Sequence, residues 1–236
     1  MCTVTYFPHK DKIVLTSNRD EKPNRAAQKI HQEKGLFYPK DTAKSGTWFV
    51  VSASGNAIVL LNGAFENHQR ETEYRKSRGL IVLDLIAQEN ITSALQLIQL
   101  LNIEPFTLVI VQKNQLAEFR WDGSEKHFKW LNINRPYIWS SATLYDETAR
   151  EERKQIFQEF LRKETISEET IWSFHHQKTN DLENGITIKR QNTIQTISTT
   201  QVVISEEITM KHYDRLNPLS KPEKILLKNE TQTSTS

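Results

Sequence analysis

The sequence is poor in cysteine, glycine and proline, and it has no long apolar run. Cys2 is the single cysteine in 236 residues, which excludes an intramolecular disulfide framework and a multi-cysteine zinc site and suits a reducing compartment. No segment approaches the ~20 consecutive apolar residues of a membrane-spanning helix. The first residues, MCTVTYFPHKDKIVL, lack a basic stretch followed by a sustained apolar run, so they do not read as a signal peptide. An excess of charge is missing too. The 31 Lys and Arg nearly balance 29 Asp and Glu, for a net charge of +2, which gives no electrostatic footprint for nucleic acid or an anionic membrane. A soluble, cytoplasmic protein is the expectation.

The hydrophobic share is 37% and the mean hydropathy is −0.60, but the apolar residues come in blocks. Five Trp, six Tyr and ten Phe supply large pieces for a core. The length suits one domain, placed at residues 1–220, with a polar, disordered tail at 221–236.

Thr3 to Phe7 and Ile13 to Thr16 read as a hairpin that starts almost at the first residue. Residues 22–45 are polar and read as a long surface loop. Thr47 to Ala53 and Ala57 to Leu61 form a second hairpin across Ser54-Gly55-Asn56. Helical spacing follows from Arg78, with Ser77 as N-cap, and again from Thr92 to Leu101, where Leu95, Leu97, Ile98 and Leu101 make the apolar face. Phe106 to Val111 is a strand. Leu116 to Trp121 and Lys126 to Leu131 make a hairpin through Asp122-Gly123, and Tyr137 to Ser140 is short and β-like. Asp146 caps a helix reaching about Arg162, Ser167 caps another, and Ile194 to Ile204 pairs with Ile208 to Tyr213. Antiparallel hairpins separated by blocks of helices predict an α+β fold, in which two mostly antiparallel sheets lie between helical layers.

Cys2 is the residue that carries chemistry. With Met1 removed, it holds both a thiol and a free α-amine, so nucleophile and base share one residue. Position alone favours a small residue that merely follows methionine. Ser17 to Glu21 ends the second strand of the first hairpin, where hairpin geometry returns the chain beside Cys2. An arginine there favours the thiolate, and a carboxylate accepts a hydrogen bond from the amine. A polar turn with an internal ion pair is the ordinary alternative.

Met1-Cys2, Asn18-Arg19-Asp20-Glu21, Gly46-Thr47-Trp48, Leu61-Asn62-Gly63 and Ser77-Arg78-Gly79 then occur in series. Ser140 to Tyr145, Arg153 and Ser198-Thr199-Thr200 continue it. This ordered set resembles the NRDE family, the relatives of the transport and Golgi organization protein two. That family resembles the N-terminal-nucleophile hydrolases in fold, especially the choloylglycine hydrolase and penicillin V acylase branch, which implies a four-layer αββα sandwich.

Carried over from the branch, Cys2 is the nucleophile and its α-amine the base. Arg19 and Asp20 position and polarise them, and Asn62 is the oxyanion donor. Ser141 falls near the branch's second asparagine, and Arg190 and Arg215 are the residues available for its later arginine. Arg19 and Asp20 are adjacent, so on an extended strand their side chains point to opposite faces. Asn18, Trp48, His68 and Arg78 are the candidate binding residues.

The resemblance implies an amidase acting on a small non-peptide C–N bond, with no cofactor. The alternative is a haem- or lipid-binding and trafficking protein that does no chemistry, with Cys2 or His68 as axial ligand. A third is an interaction scaffold on an inactive hydrolase fold. His175-His176 does not read as a metal site, because adjacent helical residues face different ways. The basic stretch from Arg70 to Arg78 is broken by Glu71 and Glu73 and reads as a solvated loop.

Overall fold

A computed structural model describes residues 2–227 except 28, 179, 192 and 218. In chain order its strands begin with β1 (Cys2–His9), β2 (Lys12–Glu21), β3 (Ile30–Glu33), β4 (Leu36–Pro39), β5 (Phe49–Ser52) and β6 (Ala57–Asn62). Helices α1 (Arg78–Ile86) and α2 (Ile91–Leu97) precede β7 (Phe106–Gln112), β8 (Gln115–Trp121), β9 (Lys126–Leu131) and β10 (Tyr137–Ser140). Helices α3 (Glu147–Lys163) and α4 (Glu168–His176) then lead to β11 (Lys189–Arg190), β12 (Ile194–Ile204), β13 (Ile208–Asp214) and β14 (Glu223–Leu227).

The strands form two antiparallel sheets. One runs β10-β1-β2-β12-β13-β14, with β11 paired to β12, and the other runs β3 to β9 in sequence order. Helix α1 packs on β5 and β6, whereas α3 packs on β10 and α4 on β2 and β12. The order of layers is therefore helix, sheet, sheet, helix, as the sequence pattern predicts. The main core fills the space between the sheets and under α1, with Phe49, Phe106 and Phe119 fully enclosed. Each such ring contributes about 1.5–3 kcal/mol relative to leaving it in water.

Alternation along β1 and β2 decides where the chemistry lies. Cys2, Val4 and Tyr6 face the other sheet, and their register partners Arg19, Ser17 and Leu15 face the same way. The even residues of β2 face the helices instead. Val14 packs on Ile171 of α4, and Asn18 donates to the carbonyls of His175 (2.8 Å) and Ile186 (3.0 Å). The Arg19/Asp20 pair therefore splits between the two faces of one sheet, as adjacency on an extended strand requires.

Three expectations need correction. Residues 22–45 are not one surface loop, because β3 and β4 lie within them and extend the second sheet to its edge. Helix α2 stops at Leu97, since Ile98 takes an extended backbone. Helical spacing is then lost: Leu95 is buried, while Leu97 and Leu101 are 79% and 78% exposed and Leu100 fills the gap instead. Finally, Glu223–Leu227 pairs with β13, so the first sheet continues into residues assigned to the tail. Residues 228–236 lie outside those described. No helix among the described residues is long and apolar enough to cross a membrane.

Candidate active site

Cys2 begins β1 and is 1% exposed. It pairs in register with Arg19, so thiol and guanidinium project from the same face of the sheet. Burial pushes the Cys2 thiol above its ordinary value, and Asp20 adds to that, while Arg19 and the Ser17 hydroxyl pull the other way. Burial outweighs the nearby cation. Cys2 is thus a protonated thiol at neutral pH and not a standing thiolate.

Arg19 is held on several sides. It donates to Asp41 Oδ2 (2.6 Å) and to the Arg25 carbonyl (2.9 Å), and its guanidinium carbon lies 3.8 Å from the centre of the Trp48 ring. Arg25 bridges Asp41 and Glu21. Burial opposes ionisation of Asp41, but Arg19 and Arg25 outweigh it and hold the carboxyl below the usual carboxylate range. The segment from Asp41 to Trp48 folds against the start of α1 because two glycines meet there. A Cβ at Gly46 would lie 2.5 Å from the Gly79 carbonyl carbon.

These groups wall a cleft of about 640 Å³. Cys2, Arg19, Trp48, Asn62, His68 and Arg78 all line it. Asn62 ends β6 on the opposite sheet, and its backbone carbonyl accepts from Ser141 Oγ (2.8 Å). Ser141 also donates its N–H to the Cys2 carbonyl (3.0 Å). It is buried and ties the Cys2 strand to the Asn62 strand, with its hydroxyl directed at the Asn62 carbonyl. Arg78 donates to the Pro105 carbonyl and pairs with Glu104 at 3.0 Å. Burial lowers its pKa to about 10 despite Glu104. His68 faces the same Glu104 at 3.5 Å.

Asp20 and Asn18 are not brought into the cleft. Asp20 is enclosed on the helical side, where Tyr145 (2.9 Å) and Thr196 (2.7 Å) donate to its two oxygens. Burial raises its pKa, opposed by Arg153 and those hydrogen bonds. Its register position is one residue beyond the Cys2–Arg19 pair, so it adjoins the strand end rather than the thiol. Asn18 also accepts from Thr199 (2.9 Å), and so it joins β2, β12 and the helical layer. Arg215 donates to the His175 carbonyl, and Arg190 to the carbonyls of Leu144 and Glu183; neither lines the Cys2 cleft.

Arg153 of α3 is enclosed completely. It donates to Thr3, Ser140 and the carbonyls of Asn184 and Gly185, with its guanidinium over the Tyr145 ring at 3.9 Å. His175 meets Thr5 Oγ1 at 2.8 Å and is fully buried, which keeps its ring neutral. Among the described residues no cluster of His, Cys, Asp or Glu has a metal-binding arrangement.

The sequence matches the family model described as Transport and Golgi organisation 2 over residues 1–219. The chain belongs to that family. This is the family that the ordered motifs of the sequence resemble. No curated protein matches the chain, so solved structures supply the remaining comparisons. The Caenorhabditis elegans N-acylethanolamine-hydrolyzing acid amidase ortholog is similar with a TM-score of 0.60 and 12% identity, covering 85% of this chain and 92% of that one. A mutant conjugated bile acid hydrolase from Clostridium perfringens aligns with a TM-score of 0.52 and 10% identity, covering 95% of this chain and 92% of that one. A second variant of that hydrolase gives 0.53 and 9%, with the same coverage. At these identities the likeness carries the fold alone. This member of the family has the N-terminal-nucleophile-hydrolase architecture.

Asp41, Arg25 and Glu104 were missed by reading the sequence. Asp41 stands in a polar stretch and gains its meaning only when β3 and β4 bring it over Arg19. Glu104 follows α2 in a turn. The one sequence signal was the glycine pair, Gly46 and Gly79, each beside a motif residue that reaches the cleft.

Proposed function

We propose that this chain is a cysteine N-terminal-nucleophile hydrolase that cleaves a non-peptide amide C–N bond through an acyl-Cys2 intermediate. The observation that carries the reading is the position of Cys2 at the head of β1, in register with Arg19 and opening on a cleft shared with Asn62.

With Met1 removed, the Cys2 amine accepts the thiol proton while the sulfur bonds to the amide carbon. A base is needed because burial keeps the thiol protonated. The side-chain NH2 of Asn62 donates to the tetrahedral oxygen, which stabilises charge that develops only in the transition state. The C–N bond then breaks, and the leaving amine takes the proton from the α-ammonium. Water gives a proton to the free α-amine and attacks the acyl carbon, and the C–S bond breaks to return the thiol and release a carboxylic acid. Arg19, fixed by Asp41 and the Trp48 face, holds positive charge beside the sulfur. Asp20, at the strand end, is placed to accept a hydrogen bond from the freed amine.

The rival reading, a haem or lipid carrier, draws on Cys2 and His68, which share the cleft. A haem macrocycle needs two apolar faces, and a lipid chain needs an apolar channel. Lys22, Lys44, Glu73 and Glu104 line the walls here, so the residues do not fit either group.

The test is a screen of N-acyl amides, read as product release and as an acyl adduct by intact mass. Wild type is expected to turn over at least one amide and to carry the adduct on Cys2, whereas Cys2→Ala does neither. Turnover that persists in Cys2→Ala overturns the reading.

A further inference from the structure

The cleft beside Cys2 holds more hydrogen-bonding groups than its own residues use. Trp48 is 5% exposed, yet its indole N–H has no partner. The buried Arg25 Nε, Ser77 Oγ and His68 Nδ1 also lack partners, and all four residues line this cleft. A buried polar atom left unpaired costs about 1–3 kcal/mol, and native proteins keep few of them. Four such residues lining one cleft point to a ligand that completes the bonding.

A second observation gives the sign of that ligand's charge. Helix α1 starts on the same wall, since Ser77, Arg78 and Gly79 line the cleft. Its first turn has no acidic residue, and the Ser77 side chain makes no capping bond. The positive end of the helix therefore faces the cleft without an anion of its own. The close approach of Gly46 and Gly79 sets the Thr47 backbone against that helix start, and Trp48 follows it into the lining of the same cleft.

Charge on the walls agrees. Arg19, Arg25 and Arg78 are internally paired, but Lys22 and Lys44 also line the cleft and enter no ion pair among the described residues. Of the lining carboxylates Glu21, Asp41, Glu73 and Glu104, all but Glu73 are already engaged by those arginines. Trp Nε1–H and Arg Nε–H only donate, and the Ser77 hydroxyl is free to do so. A group rich in acceptor oxygens and negatively charged suits all three.

We infer that the wall made by Arg25, Trp48, Ser77 and the start of α1 binds an oxyanion, a carboxylate or a phosphate, carried by the substrate. Assigning that anion to a substrate rests on the hydrolase reading; the binding of the anion does not. The substrate class is then an amide bearing an anionic group away from the scissile bond.

Cys2 is the only thiol in the chain, so its alkylation can be followed by intact mass without ambiguity. The test compares iodoacetate with iodoacetamide on the full chain, with free cysteine as reference. It adds glutarate, inorganic phosphate and neutral glutaramide as competitors. The charged reagent is expected to be favoured about tenfold relative to free cysteine, the combined size of a helix terminus and one hydrogen bond. Glutarate or phosphate should protect saturably and raise the melting temperature, and the more effective of the two names the oxyanion. Glutaramide should do neither.

Ser77→Ala removes one donor with little change in volume, Trp48→Phe removes another together with part of the buried ring, and each should weaken that preference and protection about threefold to tenfold. Lys129→Glu, on exposed β9, should leave both unchanged. The inference is overturned if glutaramide protects as well as glutarate, if neither anion binds, or if both donor variants behave as wild type. If Cys2 reacts with neither reagent, the hydrolase reading fails, and the melting temperatures with glutarate and phosphate still decide whether the anion binds.

Discussion

Replacing Asp41 by Asn keeps the side chain's size and its acceptor for the Ala43 N–H (3.0 Å) but removes a charge that two arginines share. Arg19 sits 2.6 Å from Asp41 with both side chains enclosed. Its other partners, the Arg25 carbonyl and the Trp48 ring, carry no negative charge. Breaking a buried ion pair by removing one partner costs about 3–5 kcal/mol. Arg25 is 31% exposed and water relieves its loss, so the penalty falls on Arg19 and the low end, about 3 kcal/mol, applies. For a chain of this size each kcal/mol moves Tm by about 2–4 °C, so Asp41→Asn should melt about 6–12 °C lower.

The pH dependence follows from the depressed carboxyl. Its stabilisation is complete above the unfolded aspartate value of about 3.9 and is lost as pH falls through the lower folded value. The gap between wild type and Asp41→Asn should therefore be constant from about pH 5 to 8 and close only below about pH 4. Urea unfolding at several pH values measures it. Adding Arg19→Met to Asp41→Leu should recover much of the loss, because no buried charge is then left alone. A loss under about 1 kcal/mol at pH 7, or a gap that does not close in acid, refutes the argument.

Tyr145→Phe removes one of the two hydroxyl donors to enclosed Asp20, and urea denaturation should show a loss of about 1.5–3 kcal/mol. Gly46→Ala drives a methyl into the Gly79 backbone; it should cost about 1–3 kcal/mol and lower Cys2 alkylation selectivity as the Trp48 loop shifts. Alkylation of Cys2 by iodoacetamide should reach half its plateau at a higher pH than free N-acetylcysteine, since burial raises the thiol; a lower midpoint contradicts the geometry. Burial holds His175 well below the usual histidine range and His176 at about 4, so the unfolded chain alone takes up those protons as pH drops below about 6.5. Stability measured from pH 7 to 5 should fall, and less steeply in His176→Gln.

Local patterns in the sequence carried much of this fold. Ser54-Gly55-Asn56 turns β5 into β6 with Gly55 at φ +83°, and Asp122-Gly123 turns β8 into β9 with Gly123 at φ +109°, each a conformation that side chains resist. Asp146 and Ser167 cap α3 and α4 through their side chains, as those residue types do. Ser77 occupies the N-cap of α1 but leaves its hydroxyl unbonded, unlike those two caps. Strands β3 and β14 were hidden because Ile30–Glu33 and Glu223–Leu227 are short and mixed in polarity, and β4 because Leu36–Pro39, though apolar, is four residues long and ends in proline; pairing with neighbours decides their state.

The site divided the same way. The first hairpin alone places Arg19 opposite Cys2, and strand periodicity separates Asp20 from it. What covers Arg19, Arg25 excepted, is Asp41 and Trp48, 22 and 29 positions beyond it, and no local pattern announces a contact made through a second sheet.

The mechanism requires the α-amine of Cys2 to be free. Intact mass spectrometry of purified, full-length protein answers this in one measurement. The expected result is a mass lower by one methionine residue, with a single thiol available to alkylation. A mass that retains Met1 in the active preparation contradicts the account, because the proposed base would then be an amide nitrogen.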